Sequence, residues 1–167
     1  PEMKSTGEVM GIDENFEMAY LKSQIGAGQR LNSIKNIFIS VKDEDKEEVS
    51  SVAKSLLDNG YILYSTKGTH DFLSKKGISS NLVNKVAEGS PHVVEYIKEN
   101  KIDLVINTTE NKQAIKDSFT IRRSAVDLNI PYYTNMRATK ILTKSLISMK
   151  NQPISVKAIQ IHHNYCK

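Results

Sequence analysis

Apolar positions along this chain switch between two periods. From Asn36 onward, short continuous apolar runs alternate with stretches in which apolar residues recur every three or four positions. That is the pattern of βα units laid around a parallel sheet, and it predicts an α/β fold. Ile37-Phe38-Ile39-Ser40-Val41 predicts a first strand covered on both faces. Asp43-Glu44-Asp45 then favours a helix N-terminus, Val49, Val52, Ala53, Leu56 and Leu57 share one face, and Gly60 supplies the C-terminal cap. Tyr61 to Ser65 predicts the second strand, and Thr66-Lys67-Gly68-Thr69 leads into a short helix through Phe72 and Leu73 that stops at Gly77.

After a turn at Ser79-Ser80-Asn81, Leu82 to Val86 alternates like a small third strand. Pro91 opens a helix whose buried stripe is Val93, Val94 and Ile97. Ile102 to Ile106 predicts the fourth strand. A helix from about Ser118 to Asn129 turns Ile121, Ala125 and Leu128 inward and Arg122 and Arg123 outward or sideways. Ile130 to Thr134 predicts the fifth strand, at an edge because Pro131 cannot donate to a ladder. Ala138, Ile141, Leu142, Ser145, Leu146 and Met149 make a last helix.

The ends read differently. Residues 1–13 show no sustained period, and Phe16, Ala19, Tyr20, Leu21 and Ile25 then recur at helical spacing until Gly26-Ala27-Gly28. Residues 1–35 are therefore expected to be a connector with one amphipathic helix, residues 36–150 the α/β domain, and residues 151–167 a tail strand, from the alternation between Ile154 and Ile161. An opening at Pro1 with no signal or transit segment suggests a piece of something longer.

Composition narrows the function classes. The 167 residues carry 23 Lys and Arg against 19 Asp and Glu, with the surplus spread along the chain instead of gathered in a stripe. Nucleic-acid binding is disfavoured on that ground and by the 7% aromatic content. No apolar run is long enough for a membrane span. The single Cys166 forms no internal disulfide, which fits a reducing cytoplasm.

Candidate chemistry follows from what succeeds each strand, since open α/β sheets bind ligands beyond their carboxyl ends. Asp43, Asp45 and Lys46 follow the first strand, Thr66, Gly68 and Thr69 the second, Asn107, Thr108 and Thr109 the fourth, Thr134 and Asn135 the fifth. Thr-x-Gly-Thr suits a phosphate, because glycine lets backbone amides approach and each threonine adds a neutral donor. Together with Lys46 and Lys85 it points to a phosphorylated small molecule. His162, His163 and Cys166 are a poor metal set on a terminal tail, and His70 and His92 have no nucleophile partner in the sequence.

A resemblance sharpens this. Lys4-Ser5-Thr6-Gly7-Glu8-Val9-Met10-Gly11 resembles the segment that closes the second synthetic half of the carbamoyl-phosphate synthetase large subunit. Ser40-Val41, Asp45-Lys46, Thr66-Lys67-Gly68-Thr69, Val83-Asn84-Lys85-Val86 with Glu88-Gly89, Ile106-Asn107-Thr108-Thr109 and Ile121-Arg122-Arg123-Ser124-Ala125 follow in the order of that subunit's C-terminal domain. The resemblance implies a methylglyoxal-synthase-like fold, related to Rossmann folds: three layers, with a five-stranded parallel sheet between helices. It implies a regulatory, non-catalytic part of a ligase of pyrimidine and arginine biosynthesis, with UMP, IMP or ornithine as effectors. Carried over, the effector positions are Ser40, Lys46, Thr66, Gly68, Thr69, Lys85, Asn107, Thr108 and Thr109, with Tyr132 and Thr134 linked to ornithine.

By the same resemblance the domain holds no cofactor of its own, while the full-length enzyme uses ATP, magnesium and potassium. Its partners are the rest of the large subunit, the glutaminase small subunit and, in a homo-oligomer, further copies. After Thr134 the chain runs through Asn135-Met136-Arg137-Ala138 into a helix where many relatives have a longer glycine-bearing connection. Two rivals stay open. A stand-alone methylglyoxal synthase needs a carboxylate base, and Glu88 and Glu110 do not stand where that enzyme's signature has its aspartates. The other rival is a module that serves mainly to join protomers.

Overall fold

Asn36–Ser40 (β1) is the middle strand of a five-stranded sheet because every side chain between its ends is buried, leaving no face for water. The computed structural model describes residues 9–109, 112–158 and 160–161, and only the backbone of residues 112–117. The other strands are Ile62–Ser65 (β2), Asn81–Leu82 (β3), Leu104–Asn107 (β4) and Tyr132–Tyr133 (β5), in the order β3-β2-β1-β4-β5 with every pairing parallel. The helices are Phe16–Gly26 (α1), Lys46–Asp58 (α2), Lys67–Lys75 (α3), Val93–Lys98 (α4), Lys112–Asp127 (α5) and Met136–Asn151 (α6). The α/β class and the five-stranded parallel sheet expected from the sequence are what the chain adopts.

Alternation along the strands divides the core in two. Ile37, Ile39, Leu63, Leu104, Ile106 and Tyr133 point to one face, where α1, α2, α3 and α6 cover them through Met18, Leu21, Val52, Leu56, Leu73, Leu142 and Leu146. Phe38 and Val105 point to the other, under Val93, Val94 and Ile97 of α4 and Ile121 and Ala125 of α5. Helix α1 belongs to the first cluster and is pinned to α6 and β5. Ser145 Oγ donates to the Glu17 carbonyl at 2.8 Å, and the Tyr20 and Tyr133 hydroxyls meet at 3.2 Å. Asn15 and Asn135 side chains accept from the amides of Met18 and Ala138 and so cap α1 and α6. Gly60 follows the end of α2 at φ +77°, where a side chain would be strained.

Four expectations are corrected. The third strand stops at Leu82, because Asn84 pairs with His92 instead and residues 86–88 coil into a 3₁₀ turn whose Glu88 carboxylate takes the Lys85 amide. Helix α5 starts at Lys112 and not at Ser118. Leu128 lies past its last turn and is exposed. Residues 153–158 form no strand and are exposed, since helices already cover both faces of the sheet and leave that alternation nothing to bury against. No helix among the described residues is long and apolar enough to cross a membrane. Residues 4–8 of the first motif, Glu110, His162, His163 and Cys166 lie outside the described residues.

Candidate effector site at the carboxyl edge of the sheet

Ser40 is paired in register with Asn107, one step beyond Phe38 and Val105, so both side chains emerge at the carboxyl edge on the α4 and α5 side. Tyr132 packs against the same cluster from β5, and Thr66 follows Tyr64, which also packs there. Thr66, Ser40 and Asn107 therefore form one polar row across three adjacent strands, and Tyr132, paired with Val105 on β5, reaches that row through its hydroxyl. With neighbouring strands about 4.8 Å apart, the row is about 10 Å long.

At its β2 end the row becomes a cup. Ser40 Oγ and Thr66 Oγ1 share a hydrogen bond of 3.0 Å, and Thr69 Oγ1 accepts from the Val41 amide at 3.3 Å. Thr66 is the N-cap of α3, but its hydroxyl does not cap the helix, whose first internal bond runs from His70 N to the Thr66 carbonyl. The amides of Lys67, Gly68 and Thr69 precede that bond and have no partner within the helix, which gives this end a positive field and free donors. A Cβ built on Gly68 would stand 3.7 Å from Lys46 Nζ, so the ammonium lies over the bare α-carbon.

One group competes for that lysine. Asp43 meets Lys46 Nζ at 2.6 Å, and the hydrogen bond and charge of Lys46 hold the Asp43 carboxyl below the usual aspartate value. Thr108 closes the cup from β4: its amide donates to the Ser40 carbonyl at 3.0 Å and its hydroxyl accepts from the Lys42 amide at 3.1 Å. Thr109 is half-buried beside it. Lys85 is exposed beyond β3, and among the described residues its ammonium makes no hydrogen bond. Ser40, Lys46, Thr66, Gly68, Thr69 and Thr108 thus come together, and Lys85 does not join them.

The β5 end is different. Asn107 Nδ2 donates to Ser118 Oγ and to the Tyr132 hydroxyl, both at 2.8 Å, and those two hydroxyls are themselves 2.8 Å apart. Ser118 had no signal in the sequence beyond its helical position. Tyr132 and the exposed Thr134 also line a cavity of about 310 Å³ with Gln29, Arg122 and Val126. Arg123 is exposed and stands 4.0 Å from Asp127. His70, one residue after Thr69, shares Ser80 Oγ with the buried Ser65, a contact that ties α3 to the segment before β3. Among the described residues, no three of His, Cys, Asp and Glu are placed to hold a metal ion.

This edge can therefore offer donors and one cation at the β1–β2 end and a fixed amide at the β4–β5 end. Among the described residues, the acid that meets this lysine is Asp43.

Known proteins resemble this chain in sequence and in fold. Residues 48–134 match the family model of the MGS-like domain. The chain is 46% identical over 160 residues to the carbamoyl phosphate synthase large chain of Myxococcus xanthus (strain DK1622), which is 96% of this chain and 15% of that protein. It is 45% identical over 162 residues to the carbamoyl phosphate synthase large chain, C-terminal section, of Aquifex aeolicus (strain VF5), 97% of this chain and 30% of that one. The chain thus spans less than a third of the length of these relatives. Among solved structures, ForH superposes with a TM-score of 0.57 at 18% identity, covering 72% of this chain and 84% of that one. Methylglyoxal synthase from Elizabethkingia anophelis NUHP1 superposes with a TM-score of 0.52 at 17% identity, over 66% and 77%. At such identities the likeness concerns the fold alone.

Proposed function

The chain belongs to the MGS-like domain family, and from that premise we propose that it is the effector-binding domain of a cytoplasmic carbamoyl-phosphate synthetase large subunit. It takes a nucleoside monophosphate such as UMP, or IMP, along the carboxyl edge of the sheet. The phosphate enters the cup of Lys46, Thr66, Gly68 and Thr69, with Ser40 and Thr108 as its wall and Asn107 toward the sugar and base. Lys85 and Thr109 approach only with the ligand bound, and ornithine acts through Tyr132 and Thr134. ATP, magnesium and potassium serve the synthetic half and not this domain.

The observation that carries the reading is the first-turn amides of α3 beside Lys46, whose ammonium lies over Gly68, and the paired hydroxyls of Ser40 and Thr66 at the same helix end. A dianion satisfies such a set, and an uncharged ligand does not. Binding is passed to the synthetic half as a coupling free energy, so substrates there must change nucleotide affinity by the same factor.

Calorimetric titration of this chain with UMP, IMP, ornithine and inorganic phosphate tests the reading. One nucleotide is expected to bind well ahead of phosphate. Phosphate binding as tightly as every nucleotide would mean a generic anion hole, and no binding by any of them would end the proposal.

A further inference from the structure

Asn107 is 5% exposed, and its side-chain nitrogen has spent both hydrogens, one on Ser118 and one on Tyr132. The two hydroxyls are also 2.8 Å from each other, so the amide nitrogen on this side satisfies all three contacts, whereas a flipped amide would leave only two hydroxyl hydrogens for three contacts. Its carbonyl oxygen is therefore directed away from Ser118 and Tyr132, and no described residue donates a hydrogen bond to it. That oxygen is purely an acceptor, and it stands in the same row as Ser40, whose hydroxyl already reaches Thr66 in the cup.

An acceptor in this place repels the oxygens of a phosphate dianion and attracts a hydroxyl or N–H group. Asn107 stands two strands from Thr66, about 10 Å away, a separation that puts it beyond the phosphate and beside the rest of the ligand. We infer that Ser118 and Tyr132 are positioning residues that lock the Asn107 amide with its carbonyl oxygen toward the ligand. The site then selects phosphate esters whose organic part carries a hydrogen donor, either a sugar hydroxyl or a ring N–H. The cup supplies anion binding, and the locked amide supplies discrimination. This inference rests on the nucleotide reading above and deepens it.

The test compares three probes, inorganic phosphate, ribose 5-phosphate and UMP, on the wild-type chain and on Ser118→Ala, Ser118→Thr and Tyr132→Phe. Wild type is expected to bind UMP more tightly than phosphate. Ser118→Ala and Tyr132→Phe each lose about five- to tenfold in UMP affinity, the scale of one neutral hydrogen bond, while inorganic phosphate binds as before. Ser118→Thr, which keeps the hydroxyl, retains the UMP affinity. A parallel loss for ribose 5-phosphate identifies the donor as a sugar hydroxyl, and a loss confined to UMP identifies it as the ring N–H.

An equal loss for all three probes, inorganic phosphate included, would assign Ser118 and Tyr132 a purely structural role and overturn the inference. Unchanged UMP binding by both variants would do the same. Failure of wild type to bind any probe is a separate result, which removes the nucleotide reading and this inference with it.

Discussion

The hydroxyl of Thr69, in the first turn of α3, accepts a hydrogen bond from the backbone amide of Val41, just past β1, at 3.3 Å. Both residues are buried. With the Ser40–Thr66 contact it makes two side-chain ties between adjacent strand ends. The loop geometry of the cup is thus set by the protein's own hydrogen bonds, before any ligand arrives.

Thr69→Val keeps the shape and removes the acceptor, leaving the Val41 amide buried without a partner. The expected loss of stability is about 1–3 kcal/mol, read from the midpoint of urea unfolding, and nucleotide affinity should fall with it. An unfolding curve that overlays wild type would mean that the Val41 amide finds another partner and that Thr69 does not hold the cup.

Lys46 is held in place by its own competitor. Lys46→Ala is expected to weaken UMP binding by about 1.5–3 kcal/mol, the scale of a lost charged hydrogen bond. Asp43→Asn should act in the opposite direction at neutral pH, because it frees the ammonium that Asp43 now occupies. The Asp43 carboxyl is held below its ordinary value by Lys46, so it stays ionised and competing until the pH falls below the usual aspartate range. Wild type and Asp43→Asn should therefore differ at pH 7 and converge only in that acid range. A titration series across pH in which the two never differ would show that the anion binds without displacing Asp43.

Much of this was readable in the sequence, for a definite reason. β1 and β4 are continuous apolar runs because helices cover both faces of the sheet, and a residue that follows such a run must emerge at the carboxyl edge. That rule alone brings Ser40, Thr66 and Asn107 into one row. It could not find Ser118, whose link to Asn107 depends on the rotation of α5 over the sheet, nor Asp43, whose role in the acidic run before α2 is masked by its value as a helix-terminal charge. It could not foresee the position of Lys85, because the Glu88 carboxylate takes the Lys85 amide and turns that segment out of the strand. Leu128 looked inward only on the assumption that α5 continued one more turn.

The N-terminal segment should respond to acid. Asp13 meets Lys22 Nζ at 2.7 Å with both side chains mostly shielded, and the hydrogen bond from Lys22 is the main reason its carboxyl lies below the ordinary value. A carboxyl with a lowered folded-state pKa contributes stability that is complete above the unfolded value, near 3.8, and is lost as the pH drops through the folded value. Between neutral pH and that point, wild type should melt above Asp13→Asn by a constant margin that closes in stronger acid. A margin that grows on acidification would contradict the sign of the pair.

Gly11 marks where the same segment touches α1. A Cβ on Gly11 would collide with the Ala19 carbonyl oxygen and come within 2.6 Å of the Ser23 nitrogen, both backbone atoms that cannot swing aside. Gly11→Ala should therefore lift residues 9–13 off the helix and cost about 1–3 kcal/mol. Limited proteolysis gives the local readout, as faster cleavage before Asn15 with the sheet still intact. Wild-type cleavage rates would mean that the segment is free to move away without loss.

Whether this edge binds or also reacts turns on the availability of a base. Taking a proton from dihydroxyacetone phosphate, as a methylglyoxal synthase does, requires a carboxylate near the phosphate that is free to accept it. Of the carboxylates named in the sequence, Glu88 spends an oxygen on the Lys85 amide at 2.7 Å. Asp43 reaches the cup but is bound to Lys46, and the interaction that lowers its pKa also makes it a weaker base. The chain incubated with dihydroxyacetone phosphate should therefore release no methylglyoxal above the buffer control in a colorimetric aldehyde assay. Release at enzymic rates that Asp43→Asn abolishes would make Asp43 the base and the chain a lyase. Release that Asp43→Asn leaves untouched but Glu110→Gln abolishes would move the base to Glu110, which follows Thr109 in the sequence, and release that survives both would trace to a contaminant.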